Sequence, residues 1–227
     1  MGSIRISVIG FGEVGTCFSK ALSSKGAELR AYDRLLERDD SEKIRSRMAD
    51  AGAQSGSLEE VVQAGEIVLS TVTTQYAVAV AEACVPLLRP GQFFVDLNST
   101  SPAVKVRIGE LLSASGCDFV EGAILGAIGA TGAGTRILAG GEKGAQVAER
   151  LTGHGLNVSY YSPEIGKASM FKMLRGILTK GLETLLLEFL IAGKRAGIER
   201  DLWDEITDFM EKRSFAAIGG NWMQTHA

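Results

Sequence analysis

The run Ile4-Arg5-Ile6-Ser7-Val8-Ile9 passes directly into Gly10-Phe11-Gly12-Glu13-Val14-Gly15, and a helical pattern begins at once. A β-branched strand that ends in Gly-x-Gly-x-x-Gly and opens a helix leaves few folds available. Gly10 permits the tight turn, Gly12 lets backbone approach a pyrophosphate, and Gly15 lets the helix pack on the strand. The unpaired N–H groups and positive end of the new helix then face the phosphates. Glycine accounts for 28 of 227 residues, so the spacing alone is a weak signal, and its context on both sides gives it weight. A second strand, residues 27–32, leads to Asp33, 18 residues beyond Gly15. There the fingerprint places an acidic residue on the adenosine ribose hydroxyls of a dinucleotide. Phe11, Glu13 and Val14 join the three glycines as expected cofactor contacts. Ser70, Thr71 and Val72, after a later strand, are expected along the same cofactor, although a plain loop reads the same way.

Strand and helix patterns alternate through the first two-thirds of the chain. Strands are expected at 66–70, 93–96, 118–121, 136–139 and 157–160. Helices are expected at 13–24, within 35–48, at 58–63, 76–88 and 142–151, and from Pro102 with Ser101 as N-cap. Such alternation implies an α/β fold with a doubly wound, Rossmann-type parallel sheet. After Pro163 the character changes. From 166 to about 196 there is no proline, and Met170, Met173, Leu174, Ile177, Leu178, Leu182, Leu185 and Phe189 recur at helical spacing, with burial expected on more than one side. A second helix is expected over 202–217. The expected domains are therefore a dinucleotide-binding domain, 1–163, and a shortened all-helical C-terminal domain, 164–227.

Net charge of −3 gives no reason to expect nucleic acid or an anionic membrane as partner. Residues 173–192 form the most apolar segment but contain Arg175, Lys180, Glu183 and Glu188, so no bilayer span is expected. Cys17, Cys84 and Cys117 lack metal or redox-pair spacing and read as reduced core residues. Together with a first strand that starts too early to leave room for a signal peptide, they point to a cytoplasmic protein. Two histidines, His154 and His226, leave little material for a histidine-based metal site or triad, and no metal is expected. His154, between Gly153 and Gly155, reads as a loop residue.

Three separated motifs make the chain resemble the β-hydroxyacid dehydrogenase superfamily, which includes 3-hydroxyisobutyrate and 6-phosphogluconate dehydrogenases. The first is the N-terminal fingerprint. The second is Asp96-Leu97-Asn98-Ser99-Thr100-Ser101-Pro102, similar to the family's Asp-x-Ser-Thr-x-x-Pro substrate loop. The third is Gly166-Lys167-Ala168-Ser169-Met170-Phe171-Lys172, which looks like the helix start that carries the family's catalytic lysine. Residues 172–197 look closest to a little-characterised branch with a phosphogluconate-dehydrogenase-like C-terminal domain. The resemblance implies an NAD(P)-dependent oxidoreductase acting on a small hydroxy acid or sugar acid and its carbonyl form.

The chemistry agrees with that resemblance. Hydride transfer from a hydroxyl-bearing carbon requires the hydroxyl proton to move to a positioned acid/base group. Histidine is too scarce, and Lys172 lies among Met170, Phe171, Met173 and Leu174, where partial desolvation lowers a lysine's pKa. The bare pattern equally fits an ordinary surface lysine; the motif selects the catalytic role. Asn98, Ser99 and Thr100 follow a strand and precede a helix, so capping alone explains them as well as substrate binding does. Gly126 and Gly176 complete the expected substrate set. Asp33 favours NAD by accepting from both ribose hydroxyls and repelling a 2′-phosphate, with NADP the alternative through Arg34, which suits either adenine stacking or that phosphate.

Departures from the family pattern bear on the substrate. Asn98 stands at the usual serine position, Leu125 replaces a substrate-contacting serine, and Gly176 replaces the asparagine that accompanies the lysine. Loss of polar groups implies a bulkier or less polar substrate. It also leaves open an imine reductase on the same scaffold, or a dinucleotide-binding sensor without catalysis. The helical domain is shorter than the family's, which implies a fragment or a homodimer in which a partner supplies the missing helices.

Overall fold

The computed structural model describes residues 4–38 and 41–225. The chain divides into two compact units, Met1–Met173 and Leu174–Ala227. The first is built from β1 (Arg5–Ile9), α1 (Glu13–Ser24), β2 (Glu28–Tyr32), α2 (Ser41–Asp50), β3 (Ala53–Ser55), α3 (Leu58–Ala64), β4 (Ile67–Ser70) and α4 (Ala77–Cys84). It continues with β5 (Phe93–Asp96), α5 (Pro102–Leu112), β6 (Asp118–Ile124), α6 (Ile128–Thr131), β7 (Ile137–Gly140), α7 (Gly144–Gly153) and β8 (Val158–Ser162). The eight strands form one sheet in the order β3-β2-β1-β4-β5-β6-β7-β8. Its first six positions follow the Rossmann order, and the order reverses between β1 and β4, where such sheets bind ligands beyond the strand ends.

The strands are apolar because both faces are covered, as a parallel sheet requires. Ile6, Val8, Leu29, Ile67, Leu69 and Val95 pack with Phe18, Leu22, Met48 and Val147 on one face. Ile9, Val68 and Phe94 pack with Val62, Ala81, Cys84, Ile108 and Leu112 on the other. Helix starts obey local chemistry. Ser57 and Glu60 form a capping box at α3, and the hydroxyl of Ser101 accepts from the Val104 N–H with Pro102 in the first turn of α5. The backbone and hydroxyl of Ser57 hold the Glu60 carboxyl below its ordinary value. Burial, then the nearby Cys117, pushes the Cys84 thiol up to about 12, as expected of an inert core cysteine.

The parallel, doubly wound sheet expected from the alternation is found, with one exception at β7, which runs antiparallel to β6 with Ile124 opposite Ile137. A parallel return needs a long crossover, usually a full helix. The glycine-rich connection offers only the four-residue α6 and a 3-10 turn. The short edge strand β3 lies where no strand was expected. His154 lies in the turn after α7, as expected of a loop residue, but is buried, with Nδ1 2.8 Å from the Arg150 carbonyl.

α8 (Lys167–Ala196) starts in the first unit and runs into the second, which also holds α9 (Glu199–Glu211) and α10 (Phe215–Thr225). The single helix expected over 202–217 is two, because Ser214 starts a new one. Its carbonyl accepts from Ile218 N at 3.0 Å and its hydroxyl from Ala217 N at 3.2 Å. The burial expected for the middle of α8 is also corrected: in the single chain Ile177 is 68%, Leu185 62% and Leu187 55% exposed. Among the described residues no helix is long and apolar enough to cross a membrane. His226 and the Trp222 side chain lie outside the described residues.

Candidate active site and cofactor cleft

A cleft of about 410 Å³ opens at the β1/β4 reversal, lined by Gly10, Gly12, Tyr32, Asp33, Arg34, Leu35, Leu58, Thr71, Val72, Tyr76 and Val80 among others. The three glycines do different work. Gly10 turns with φ +88°, and a Cβ there would strike the Thr71 carbonyl at 2.8 Å. A Cβ on Gly15 would overlap the Gly10 carbonyl oxygen. Gly12 differs: a Cβ there meets nothing within 4 Å, so its position faces the open cleft. Gly12 is also the N-cap of α1 and has no side chain to cap with. The first-turn N–H groups have no helical carbonyl to meet and are available to a phosphate. A backbone cradle open at Gly12 and closed at Gly10 and Gly15 fits a dinucleotide.

Asp33 lies at the mouth of this cleft, half-buried, with both carboxylate oxygens already accepting. Oδ2 takes the Phe11 N–H at 2.7 Å and Oδ1 the Leu35 N–H at 3.0 Å. Each oxygen keeps a second lone pair for a hydroxyl. The guanidinium of Arg34 stacks 4.4 Å above the Tyr76 ring. Its hydrogen bond, and then its charge, hold the Tyr76 phenol below the ordinary value. Burial and the bond to Glu37 push Tyr32 up to about 12, so its hydroxyl donates, at 2.7 Å, to Glu37 Oε1. Phe11 points its side chain into the core, Val14 packs against the same core, and Glu13 is exposed beside Gly129. Ser70 is fully buried and does not line the cleft, whereas Thr71 and Val72 do.

The second cluster stands at the carboxyl ends of β5 and β6. Ser99 is exposed and Lys172 half-buried, and Lys172 Nζ donates to Ser99 Oγ at 2.6 Å. Two residues 73 apart in sequence are thus brought into one hydrogen bond. Asn98 behaves differently from its neighbours. It is 4% exposed, and its amide nitrogen donates to Ser70 Oγ at 2.9 Å and to Asp96 Oδ1. The carboxylate fixes which way the amide faces, since only the nitrogen can donate to it. Asn98 Oδ1 and the Thr100 hydroxyl are buried without a protein partner. Gly126 is exposed at the end of β6, beside the half-buried Leu125. Gly176 belongs to the second unit, and a Cβ there meets nothing within 4 Å.

Three participants were not among the expected site residues. Lys105 on α5 is buried and donates to Asp96 Oδ2 at 2.8 Å and to the Asp96 carbonyl at 2.7 Å. Glu121 at β6 is buried, and its carboxylate meets the first turn of α8. Tyr76 holds Arg34 in the cleft wall. The available signal was a single acidic residue inside an apolar strand run, Phe93-Phe94-Val95-Asp96 and Phe119-Val120-Glu121-Gly122-Ala123-Ile124. Buried charges require partners.

A family model described as the NAD binding domain of 6-phosphogluconate dehydrogenase matches residues 5–153. Among curated proteins, 2-(hydroxymethyl)glutarate dehydrogenase from Eubacterium barkeri is 23% identical over 225 residues, which is 94% of this chain and 71% of that protein. A solved structure of a conserved protein of unknown function, described as similar to 3-hydroxyacid dehydrogenases, is 33% identical at a TM-score of 0.78. The match covers 93% of this chain and 78% of that one. A variant of an imine reductase from Myxococcus stipitatus, in complex with NAD+, shares the fold at a TM-score of 0.81 and 19% identity, over 100% of this chain and 77% of that one. The chain therefore carries an NAD(P)-binding domain of the 6-phosphogluconate dehydrogenase type, on a fold that it shares with these structures.

Proposed function

Because the chain belongs to the family of the NAD binding domain of 6-phosphogluconate dehydrogenase, we propose that it is an NAD(P)-dependent oxidoreductase interconverting a hydroxy acid or sugar acid and its carbonyl form. The observation that carries this reading is the 2.6 Å contact of Lys172 Nζ with Ser99 Oγ at the carboxyl ends of the strands. When bound, the cofactor supplies a carbon that accepts or donates hydride. Lys172 manages the proton at the substrate hydroxyl oxygen. As a neutral amine it takes that proton during oxidation, and as an ammonium it returns it to the carbonyl oxygen during reduction. Ser99 holds the Lys172 side chain until substrate arrives, and its exposed hydroxyl then orients the substrate's oxygen group. Asn98, held by Asp96 and Ser70, shapes the loop from beneath.

The test is reduced-cofactor absorbance across hydroxy acids and sugar acids, with 2-(hydroxymethyl)glutarate on the panel, run with NAD and NADP in parallel. Turnover of a member supports the reading. Silence across the panel, with cofactor bound, overturns it. Leu125, apolar where a polar substrate contact was expected, favours imine reduction as the second reading, and cyclic imines on the same panel separate the two.

We read Asp33 as the ribose acceptor that favours NAD. Replacing it by asparagine keeps the shape, removes the charge and leaves Arg34 beside the 2′ position. The ratio of NADP to NAD dissociation constants is expected to fall by about tenfold, equal to about 1.4 kcal/mol. An unchanged ratio in a fluorescence titration would show that Asp33 does not discriminate.

We also read the helical unit as a homodimer surface. Leu174, Ile177, Leu178, Leu185, Leu187 and Ile191 are each about half exposed or more, and large exposed apolar patches mark interaction sites. Light scattering is expected to return twice the mass of the chain. A monomer at micromolar concentration would refute this.

A further inference from the structure

One row of register partners across the sheet is polar and buried. Ser70, Asp96 and Glu121 sit side by side on β4, β5 and β6, and none is more than 1% exposed. Gly140 continues the row on β7. A Cβ on Gly140 would come 2.8 Å from Glu121 Oε1, so the glycine leaves the room that the carboxylate occupies. Neighbouring strands lie about 4.8 Å apart, and two buried carboxylates at that spacing repel unless each has its own donors.

Each has them, and they come from different elements. Asp96 is held by Lys105, which ties the end of β5 to α5 and so fixes both ends of the loop that presents Ser99. Glu121 Oε1 accepts from the N–H groups of Gly166 at 2.6 Å and Ala168 at 3.0 Å. Glu121 Oε2 accepts from the Ser169 N–H at 3.3 Å and the Ser169 hydroxyl at 2.5 Å. These donors are Gly166, just before α8, and the first turn of α8 itself. A carboxylate there satisfies unpaired N–H groups and complements the helix dipole. Lys172 is one turn further along, four residues from the fully buried Ala168. The two members of the Lys172–Ser99 contact therefore hang from adjacent carboxylates in one row of the sheet.

We propose that Glu121 is the positioning residue for Lys172, and that Asp96 with Lys105 is the matching anchor for Ser99, so that the register of β5 and β6 sets the Lys172–Ser99 distance. The catalytic meaning of this device rests on the acid/base role given to Lys172, but the geometry does not. Substituting Glu121→Gln keeps the shape and one acceptor oxygen, removes the charge, and turns an amide NH₂ toward groups that are themselves donors. The start of α8 then shifts and Lys172 leaves Ser99.

Competitive acylation of the full chain with limiting acetic anhydride, read by peptide mass, follows Lys172 without any substrate. In the wild-type chain Lys172 is expected to label more slowly than the exposed Lys20. In Glu121→Gln its labelling rises about tenfold relative to Lys20, the scale of one lost hydrogen bond. Glu66→Gln is the control, because it breaks the bonds of Glu66 to Arg5 and Arg150 at the opposite end of the strands. It should leave Lys172 labelling unchanged. Ser169→Ala removes one donor, keeps the carboxylate, and should give a smaller rise where Glu121→Gln folds poorly. No rise in Glu121→Gln or Ser169→Ala, or an equal rise in Glu66→Gln, overturns the proposal. The expected labelling pattern, in a chain that turns over nothing on the panel, supports the positioning device and sinks the catalytic role of Lys172.

Discussion

Replacing Lys172 by alanine is expected to lower kcat by about 10²- to 10⁴-fold, the range that a positioned acid/base contributes. The NAD(P) dissociation constant should stay within about twofold, because Lys172 lies at the Ser99 loop and does not line the cleft. The fold should be kept, since Lys172 is half-buried and donates to the hydroxyl of the exposed Ser99. Stopped-flow absorbance at saturating substrate, with a parallel cofactor titration, measures both numbers. Full turnover in Lys172→Ala would remove Lys172 from the chemistry, and loss of cofactor binding would make its role structural.

The second large effect is at Gly12. Its φ of −75° suits any residue, and a Cβ there meets nothing within 4 Å, so Gly12→Val is tolerated by the protein and fills only the cleft. The dissociation constant for NAD(P)H is expected to rise about 100-fold, or about 2.7 kcal/mol. The fold should lose no more than about 1 kcal/mol, from the poorer N-cap. Gly15→Val provides the contrast. There the side chain would overlap the Gly10 carbonyl oxygen, and both folding and binding should fail. Calorimetry of the two variants with a fluorescence titration separates these outcomes. Equal loss of stability in both would mean that Gly12 is a packing glycine.

Much of the cofactor half was legible in the chain because its constraints are local. Gly10, Gly12 and Gly15 lie within one turn and one helix start, and Asp33 follows directly from the second strand. Ser101 and Pro102 announced α5 in the same local way. Ser214 carried such a signal too, as a helix N-cap, but the absence of proline or glycine around it let the preceding helix be read straight through. Strand direction is not local. Nothing in Arg136-Ile137-Leu138-Ala139 distinguishes a parallel neighbour from an antiparallel one, since that depends on whether the preceding connection can cross the sheet.

The substrate half divides along the same line. The motif around Asn98, Ser99 and Thr100 is visible in the chain, but nothing local distinguishes its three side chains. In the fold Asn98 faces inward to Asp96 and Ser70 while Ser99 faces outward to Lys172. Alternation in an irregular loop has no fixed period, so the sequence carries no rule for which residue turns in.

Taken alone, the order of residues determined the elements and the cofactor class: a strand, a glycine turn, a helix and an acidic residue at set spacings, each enforced by backbone sterics within a few residues. Only the tertiary structure decided which distant groups meet. Lys105 reaches Asp96, Glu121 grips the start of α8, and Lys172 comes to rest on Ser99. Those pairings follow from strand register and from the need of each buried charge for a partner. Both are properties of the assembled sheet, and no stretch of the chain contains them.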